Sequence, residues 1–298
     1  MIKKVLSKAF MAPSIDEKER YMTGTGESRC YIYDRVKDLL IKNLPFGADG
    51  CFDKTGNLIF FGKKYGGFAL YNINSDSLLL ENKLPGNHRE QPIMPICYYS
   101  NNILLFATEV KREKQIIKYY ITENRFETIL RGDRYYKLMG KMGEACIGYY
   151  YEDIDDDDQM KINLIKLNED GEIASKIVDT DGSNTLLYKD KFYYLYQYHG
   201  NCYEIRCLDE NFEEYQVGYI KRKKSFFADN LCLNEKYIAF ICRNRVDYRT
   251  KSLIVYDRIN KNEIIDEKCP EFTTDLLLTS DAVYIGAMDA LYCCELKS

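Results

Sequence analysis

The sequence predicts an all-β chain, a β-propeller of four-stranded blades. Three observations lead there. Short polar turns recur at 53–57, 100–102, 143–145, 189–191, 234–236 and 280–282. Between Asp53, Ser100, Gly143, Lys189, Glu235 and Asp281 the steps are 47, 43, 46, 46 and 46 residues. A period of about 40–50 residues carried by strands alone marks radially repeated sheets. After each turn the same succession returns: an apolar strand, a variable polar loop, a strand mixing β-branched and aromatic residues, and a second polar turn.

The strands follow in order. Third strands read at 68–73 (FALYNI), 116–121 (IIKYYI), 161–167, 203–208, 252–257 (SLIVYD) and 290–296, with a seventh early at 30–35 (CYIYDR). Such residues suit a pleated, partly buried surface. Turns such as Asn74-Ser75-Asp76 and Asn260-Lys261-Asn262 follow, rich in residues that tolerate left-handed backbone. Fourth strands close each unit at 78–80, 126–130, 172–178, 215–220 and 263–266. Full blades then span 47–85, 92–132, 136–181, 183–224 and 227–271, and 272–298 supplies three strands. Residues 2–11 are expected to add the missing outer strand to that last blade, closing the ring and removing exposed edges. Seven blades result, with six as the alternative. The weak point is the first blade: 30–35 and 37–44 give its last two strands, but only 20–23 (RYMT) offers an inner one. The segment 36–44 is the one stretch with helical spacing, and it is short. The even repeat makes 1–298 a single domain.

Composition narrows the class. Charged residues make up 30% and hydrophobic ones 46%, which is globular and enough for a large core. With 42 basic and 46 acidic residues, the net charge of −4 gives no general attraction to nucleic acid or anionic membrane, so neither is expected as a partner. No run approaches the ~20 apolar residues of a membrane span, and Lys8 interrupts the only candidate leader. The eleven cysteines are odd in number, lack a C-x-x-C pair and sit mostly in apolar strands. They read as reduced thiols packed as small hydrophobes in a cytoplasmic monomer. The 27 tyrosines, with no tryptophan, read as inter-blade packing with bonded hydroxyls, an aromatic face for sugar or peptide being the alternative.

The strand wording ALYN, YIYD and LIVYD, each followed by a polar turn, resembles the broad group of bacterial TolB-like and YVTN-like propellers over most of the chain. That resemblance implies a binding platform and carries over no catalytic residue. The Trp-Asp dipeptide of WD40 repeats is absent, the paired glycine of kelch repeats occurs once at Gly66-Gly67, and Asp181-Gly182-Ser183-Asn184 is far from the sialidase Asp-box.

Chemistry-bearing motifs are few. The acidic run 152–158 fails the calcium-loop pattern, which would place Gly at 158 and Glu at 164 where the chain has Asp158 and Leu164. It reads as a solvated loop between second and third strands. Lys221-Arg222-Lys223-Lys224 is too short to argue for nucleic acid. Arg243, Arg245, Arg249 and Lys251 are expected in one loop and form, with that run, a basic patch. His88 and His199 have no ligand spacing around them, so no metal is expected. Gly24-Thr25-Gly26 lacks the rest of a phosphate cradle, and no G-x-S-x-G elbow occurs.

A binding site is expected where fourth strands lead into the next inner strands, at the channel mouth. Those connections contribute Asp49, His88, Arg89, Glu90, Arg131, Asp133, Arg134, Asp181, Asn184, Asp229 and Asp275. Polar residues of both signs suit a protein or peptide partner, or a small polar ligand. The function read from these residues is a non-enzymatic binding propeller, a protein-interaction scaffold without cofactor. The alternative is a carbohydrate-active hydrolase or lyase, or a carbohydrate- or peptide-sensing module, at the same mouth.

Overall fold

The computed structural model describes the chain except residues 28, 45–49, 54, 87, 89–95, 101, 111, 153–160, 200, 223–225, 245–249 and 297–298; the side chains of Ile96, His199 and Asn244 also lie outside the description. Among the described residues the strands form seven four-stranded antiparallel blades arranged in a ring, a β-propeller. Two 3-10 turns, Lys64–Gly66 and Gly182–Asn184, are the helical content there.

Strand β1 (Ile2–Leu6) belongs to the last blade. The first blade is β2 (Met11–Ile15), β3 (Tyr21–Gly26), β4 (Arg29–Asp34) and β5 (Leu39–Leu44). The second is β6 (Gly50–Phe52), β7 (Leu58–Gly62), β8 (Gly67–Asn72) and β9 (Ser77–Lys83). The third is β10 (Ile96–Ser100), β11 (Ile103–Val110), β12 (Glu113–Tyr120) and β13 (Arg125–Gly132). The fourth is β14 (Lys137–Met142), β15 (Ala145–Tyr151), β16 (Ile162–Asn168) and β17 (Gly171–Val178). The fifth is β18 (Thr185–Tyr188), β19 (Lys191–His199), β20 (Cys202–Leu208) and β21 (Glu214–Lys221). The sixth is β22 (Phe226–Leu233), β23 (Tyr237–Asn244), β24 (Lys251–Asp257) and β25 (Asn262–Lys268). The seventh is β26 (Thr273–Leu278), β27 (Ala282–Ala287) and β28 (Leu291–Glu295), completed by β1.

Two details correct the sequence reading. The first blade's inner strand is Met11–Ile15, and 20–23 falls in its second strand. The ring-closing strand is therefore only Ile2–Leu6, because Met11 already opens the next blade. Residues 36–44 form a turn and the expected fourth strand. The expected six-blade alternative falls, since the inner strand it lacked is present.

The chain divides into two compact units: Met1–Lys8 with Glu152–Ile162 and Lys176–Ser298, and Ala9–Tyr151 with Asn163–Ser175. In the second of these, Phe68 meets Phe106 at 4.7 Å and Tyr119 at 5.0 Å, and Tyr119 stacks on Phe126 at 4.7 Å. This cluster fills the space between the second and third blades. In the first, Tyr203, Phe226 and Phe240 do the same between the fifth and sixth. Tyrosine is thus packing material, with Tyr31, Tyr119, Tyr149 and Tyr194 among the largest fully buried side chains.

In five blades an Asp or Asn at or just past the end of the third strand has a physical task. Asp34, Asn72, Asn168, Asp209 and Asp257 each accept backbone N–H groups two to four residues on, at 2.8–3.2 Å. This caps the turn before the fourth strand. The turn's last residue takes left-handed backbone: φ is 51° at Asp38, 50° at Asp76, 49° at Asn124 and 54° at Lys261. In three blades a tyrosine five residues earlier donates its hydroxyl to that residue, in the pairs Tyr33–Asp38, Tyr71–Asp76 and Tyr119–Asn124. Asp34 is buried and also receives the Arg20 guanidinium at 3.0 Å. Burial pushes its carboxyl up, but Arg20 and the turn amides together hold it below the usual range.

The fourth strands share a bulge. Register shifts beside Ile32/Tyr33, Leu70/Tyr71, Ile116/Ile117, Ile205/Arg206 and Val255/Tyr256 leave Ile41, Leu79, Ile129, Val217 and Ile264 as the extra residue. All five are aliphatic. A bulge adds local twist, and the repeated position lets each outer strand twist away from its neighbour.

Gly24 shows how tightly the first blade is packed. A Cβ there would lie 2.3 Å from the ring of Phe10, which is fully buried. Gly26 similarly abuts Ala9. The Gly24-Thr25-Gly26 run is therefore a seat for Phe10. Gly24→Ala should lower the urea-unfolding stability by about 1–3 kcal/mol, the usual cost of overpacking. An unchanged midpoint would show that Phe10 does not occupy that seat.

Candidate functional site

The expected mouth residues behave differently in the two units. In the second unit each described candidate is engaged locally. His88 Nε2–H donates to the Pro85 carbonyl at 3.1 Å, and in the neutral ring its Nδ1 accepts from the Thr108 hydroxyl at 3.0 Å. It also covers Gly66, whose added Cβ would meet the imidazole at 2.4 Å. His88 thus ties the connection after β9 to β11. Arg131 lies within β13 and pairs with Glu113 at 3.2 Å in solvent. Asp133 and Arg134 face each other at 3.8 Å. Asp49, Arg89 and Glu90 lie outside the described residues, as do 153–158 of the acidic run, Lys223, Lys224, Arg245, Arg249 and the His199 side chain.

In the first unit the candidates converge. Asp181 follows β17 and caps the 3-10 turn Gly182–Asn184 by accepting from Ser183 N at 2.7 Å. Asp229 sits in the middle of β22 and Asp275 near the start of β26, on the inner strands themselves and not on the connections before them. Arg243, at the end of β23, forms an ion pair with Asp229. Lys251 opens β24 and donates to the Thr273 carbonyl at 2.7 Å. Arg243 and Lys251 are thus strand-end residues, and the sequence placed both in a loop.

These groups feel one another. Burial, joined by the negative field of Asp181, pushes the Asp229 carboxyl up against the opposing pull of Arg243 and Lys251. Burial and Arg243 push the Lys251 ammonium down against Asp229 and Asp275. An acid shifted up and a base shifted down are charges held at a cost to the folded state. Asn184 is buried on the 3-10 turn, and its Oδ1 has no hydrogen-bond partner among the described residues. β22 fixes the geometry nearby: Asn230 takes left-handed φ of 56° and donates its amide to the Thr274 carbonyl at 2.7 Å, joining two inner strands.

A concavity of about 290 Å³ lies in the other unit, between the turn-proximal ends of β2, β6, β10 and β14. Its polar groups are mostly committed: Asp53 accepts from Asn57 N at 3.1 Å, Leu58 N at 2.9 Å and the Thr55 hydroxyl at 2.6 Å. Burial pushes the thiol of Cys51 on its wall well up. The same cause lifts Cys232 to about 12 and Cys242 to about 11, so these thiols stay protonated at neutral pH. Among the described residues no group of three His, Cys, Asp or Glu is disposed to hold a metal ion, and no helix is long and apolar enough to cross a membrane.

No family model matches the chain, and no curated protein matches it in sequence. Solved structures match it in fold. The β-propeller domain of Cps50 (Swd1) from Myceliophteria thermophila superposes with a TM-score of 0.71 at 8% identity, covering 100% of both chains. An oligogalacturonate lyase in complex with manganese gives 0.67 at 11%, covering 100% of this chain and 93% of that one. The WD40 repeats of RRP9 give 0.62 at 9%, covering 99% and 97%. At such identities the likeness is one of architecture, and the same architecture holds a lyase beside WD40 propellers.

The Asp229 shift has a testable sign. A carboxyl raised in the folded state favours folding at the acid end, and that contribution is lost as pH rises through the folded pKa. The stability difference between wild type and Asp229→Asn should therefore fall as pH rises above about 4. Asp34→Asn should show the reverse in a lower window: wild type should lose its advantage as pH falls below about 4, because Asp34 is held low. Urea unfolding across both windows measures them; a difference that grows with pH at Asp229 would contradict the placement.

Proposed function

We propose that this protein is a non-enzymatic binding propeller, a protein-interaction scaffold that recognises a partner through Asp181, Asp229, Arg243, Lys251 and Asp275. One observation supports it most: charges of both signs from consecutive inner strands and their neighbours are brought together and partly desolvated. A partner carrying both signs would complete them, gaining more from each contact than at an open surface. His88, Arg131, Asp133 and Arg134 serve the scaffold of their own unit in this reading, and Asn184 serves as an acceptor beside the cluster. Likeness to WD40 propellers accords with a protein partner, and the TolB-like strand wording with a binding platform. The eleven cysteines are all free, and the Cys146 thiol donates a hydrogen bond to the Cys97 sulfur at 3.4 Å. That suits a reducing, cytoplasmic setting.

The rival is a carbohydrate-active enzyme, favoured by the likeness to the oligogalacturonate lyase. The two are separated by one set of proteins. Affinity capture with wild type and with Arg243→Gln/Asp275→Asn, which removes one charge of each sign, should give partners depleted about ten-fold in the variant at equal melting temperature. An identical captured set from both would reject the cluster as the recognition surface. Cleavage of oligogalacturonate by wild type supplied with manganese, lost in the variant, would favour the enzyme.

A further inference from the structure

A second surface lies apart from the charged cluster, on the outer flank of the first unit. There β21, the fourth strand of the fifth blade, faces β24 and β25 of the sixth, and a groove of about 610 Å³ opens between them. Its floor is Ile205, Ile220 and Ile238, all buried. Its walls present Tyr219, 60% exposed, and Ile259, 69% exposed. Val217, the bulged residue of β21, adds a third apolar side chain that its strand does not cover. The volume lies within the ~300–1,000 Å³ of ordinary ligand clefts.

Charge decides what fits. The two acidic groups of the groove are engaged: Glu235 accepts from the Tyr188 hydroxyl at 2.6 Å and pairs with Lys189, and Glu263 faces Arg222 at 3.8 Å. Arg258 donates to the Asn234 carbonyl. Lys221 and Lys261 line the same groove, and neither has an acidic partner among the described residues. The unmatched charge is positive, above an apolar floor. The wall strand β21 ends its sheet, so its outer edge offers backbone groups to an added strand.

We propose that this groove docks an extended peptide in which bulky aliphatic residues alternate with Asp or Glu. In a strand successive side chains point to opposite faces. One set of such a peptide reaches Ile205, Ile220 and Ile238, and the other meets Lys221 and Lys261. The alternation is required by the geometry: a basic peptide would meet two ammonium groups, and a uniformly polar one would leave the floor uncovered.

The test is selection of a displayed library of random twelve-residue peptides on the full chain, followed by fluorescence anisotropy of synthetic copies. Selected sequences should alternate aliphatic and acidic residues. They should bind Lys221→Glu/Lys261→Glu and Ile259→Asp at least about ten-fold more weakly than wild type, with unchanged melting temperatures. They should bind Arg243→Gln/Asp275→Asn as wild type does, which separates this surface from the charged cluster. Should a groove variant melt early, Tyr219→Ser replaces it. The proposal is overturned if nothing is enriched over a bare support, if enriched peptides are basic, or if they bind the groove variants undiminished. It is equally overturned if sedimentation shows a dimer of this chain that the same substitutions dissolve.

Discussion

A four-stranded blade has apolar residues on both faces and no means of covering either by itself. That constraint shapes the rest of the molecule. Second strands such as β7 and β27 are buried along nearly their whole length, where a half-solvated strand would alternate. Each blade is stable only between neighbours, so stability is shared along the ring and depends on its closure. The closing element is β1, paired in antiparallel register with β28 through Ile2↔Cys294, Lys3↔Cys293 and Lys4↔Tyr292. The Met1 ammonium at 2.8 Å from Glu267, and Ile2 N donating to the same carboxylate at 3.0 Å, fasten its first residues.

Periodicity made the architecture legible because turn chemistry repeats with the blades. Asp34, Asn72 and Asp257 stand at the ends of YIYD, ALYN and LIVYD because an acceptor must meet the amides of the following turn. The first inner strand was not legible: Met11–Ile15 contains Pro13, is half-buried, and has Ala12 at φ 46°, so it carries neither apolar alternation nor strand propensity. The bulges were hidden for another reason. Ile41, Leu79 and Val217 look like ordinary strand residues, and only pairing shows that they have no partner.

The expected mouth residues differ in how the structure engages them. Loop position brought in His88 and Arg131, yet hydrogen bonding to Pro85 and Thr108 makes the first a tether and Glu113 occupies the second. Asp181, Asp229 and Asp275 belong together because consecutive inner strands run side by side, a relation that spacing near 46 residues only hints at. Arg243 and Lys251 looked like a free basic patch until Asp229 was placed beside them. The flank groove left no trace in the sequence, since its floor comes from three strands and its two unpaired lysines are 40 positions apart.

Ring closure by the first strand is the claim on which both proposed recognition surfaces depend, because it holds the inner strands and outer flanks in place. Amide hydrogen exchange tests it most directly. Amides of Ile2–Leu6 engaged with β28 should exchange as slowly as those of β27, despite their position at the chain's start. Exchange at the rate of an unstructured peptide over Ile2–Leu6, with β27 still protected, would contradict it.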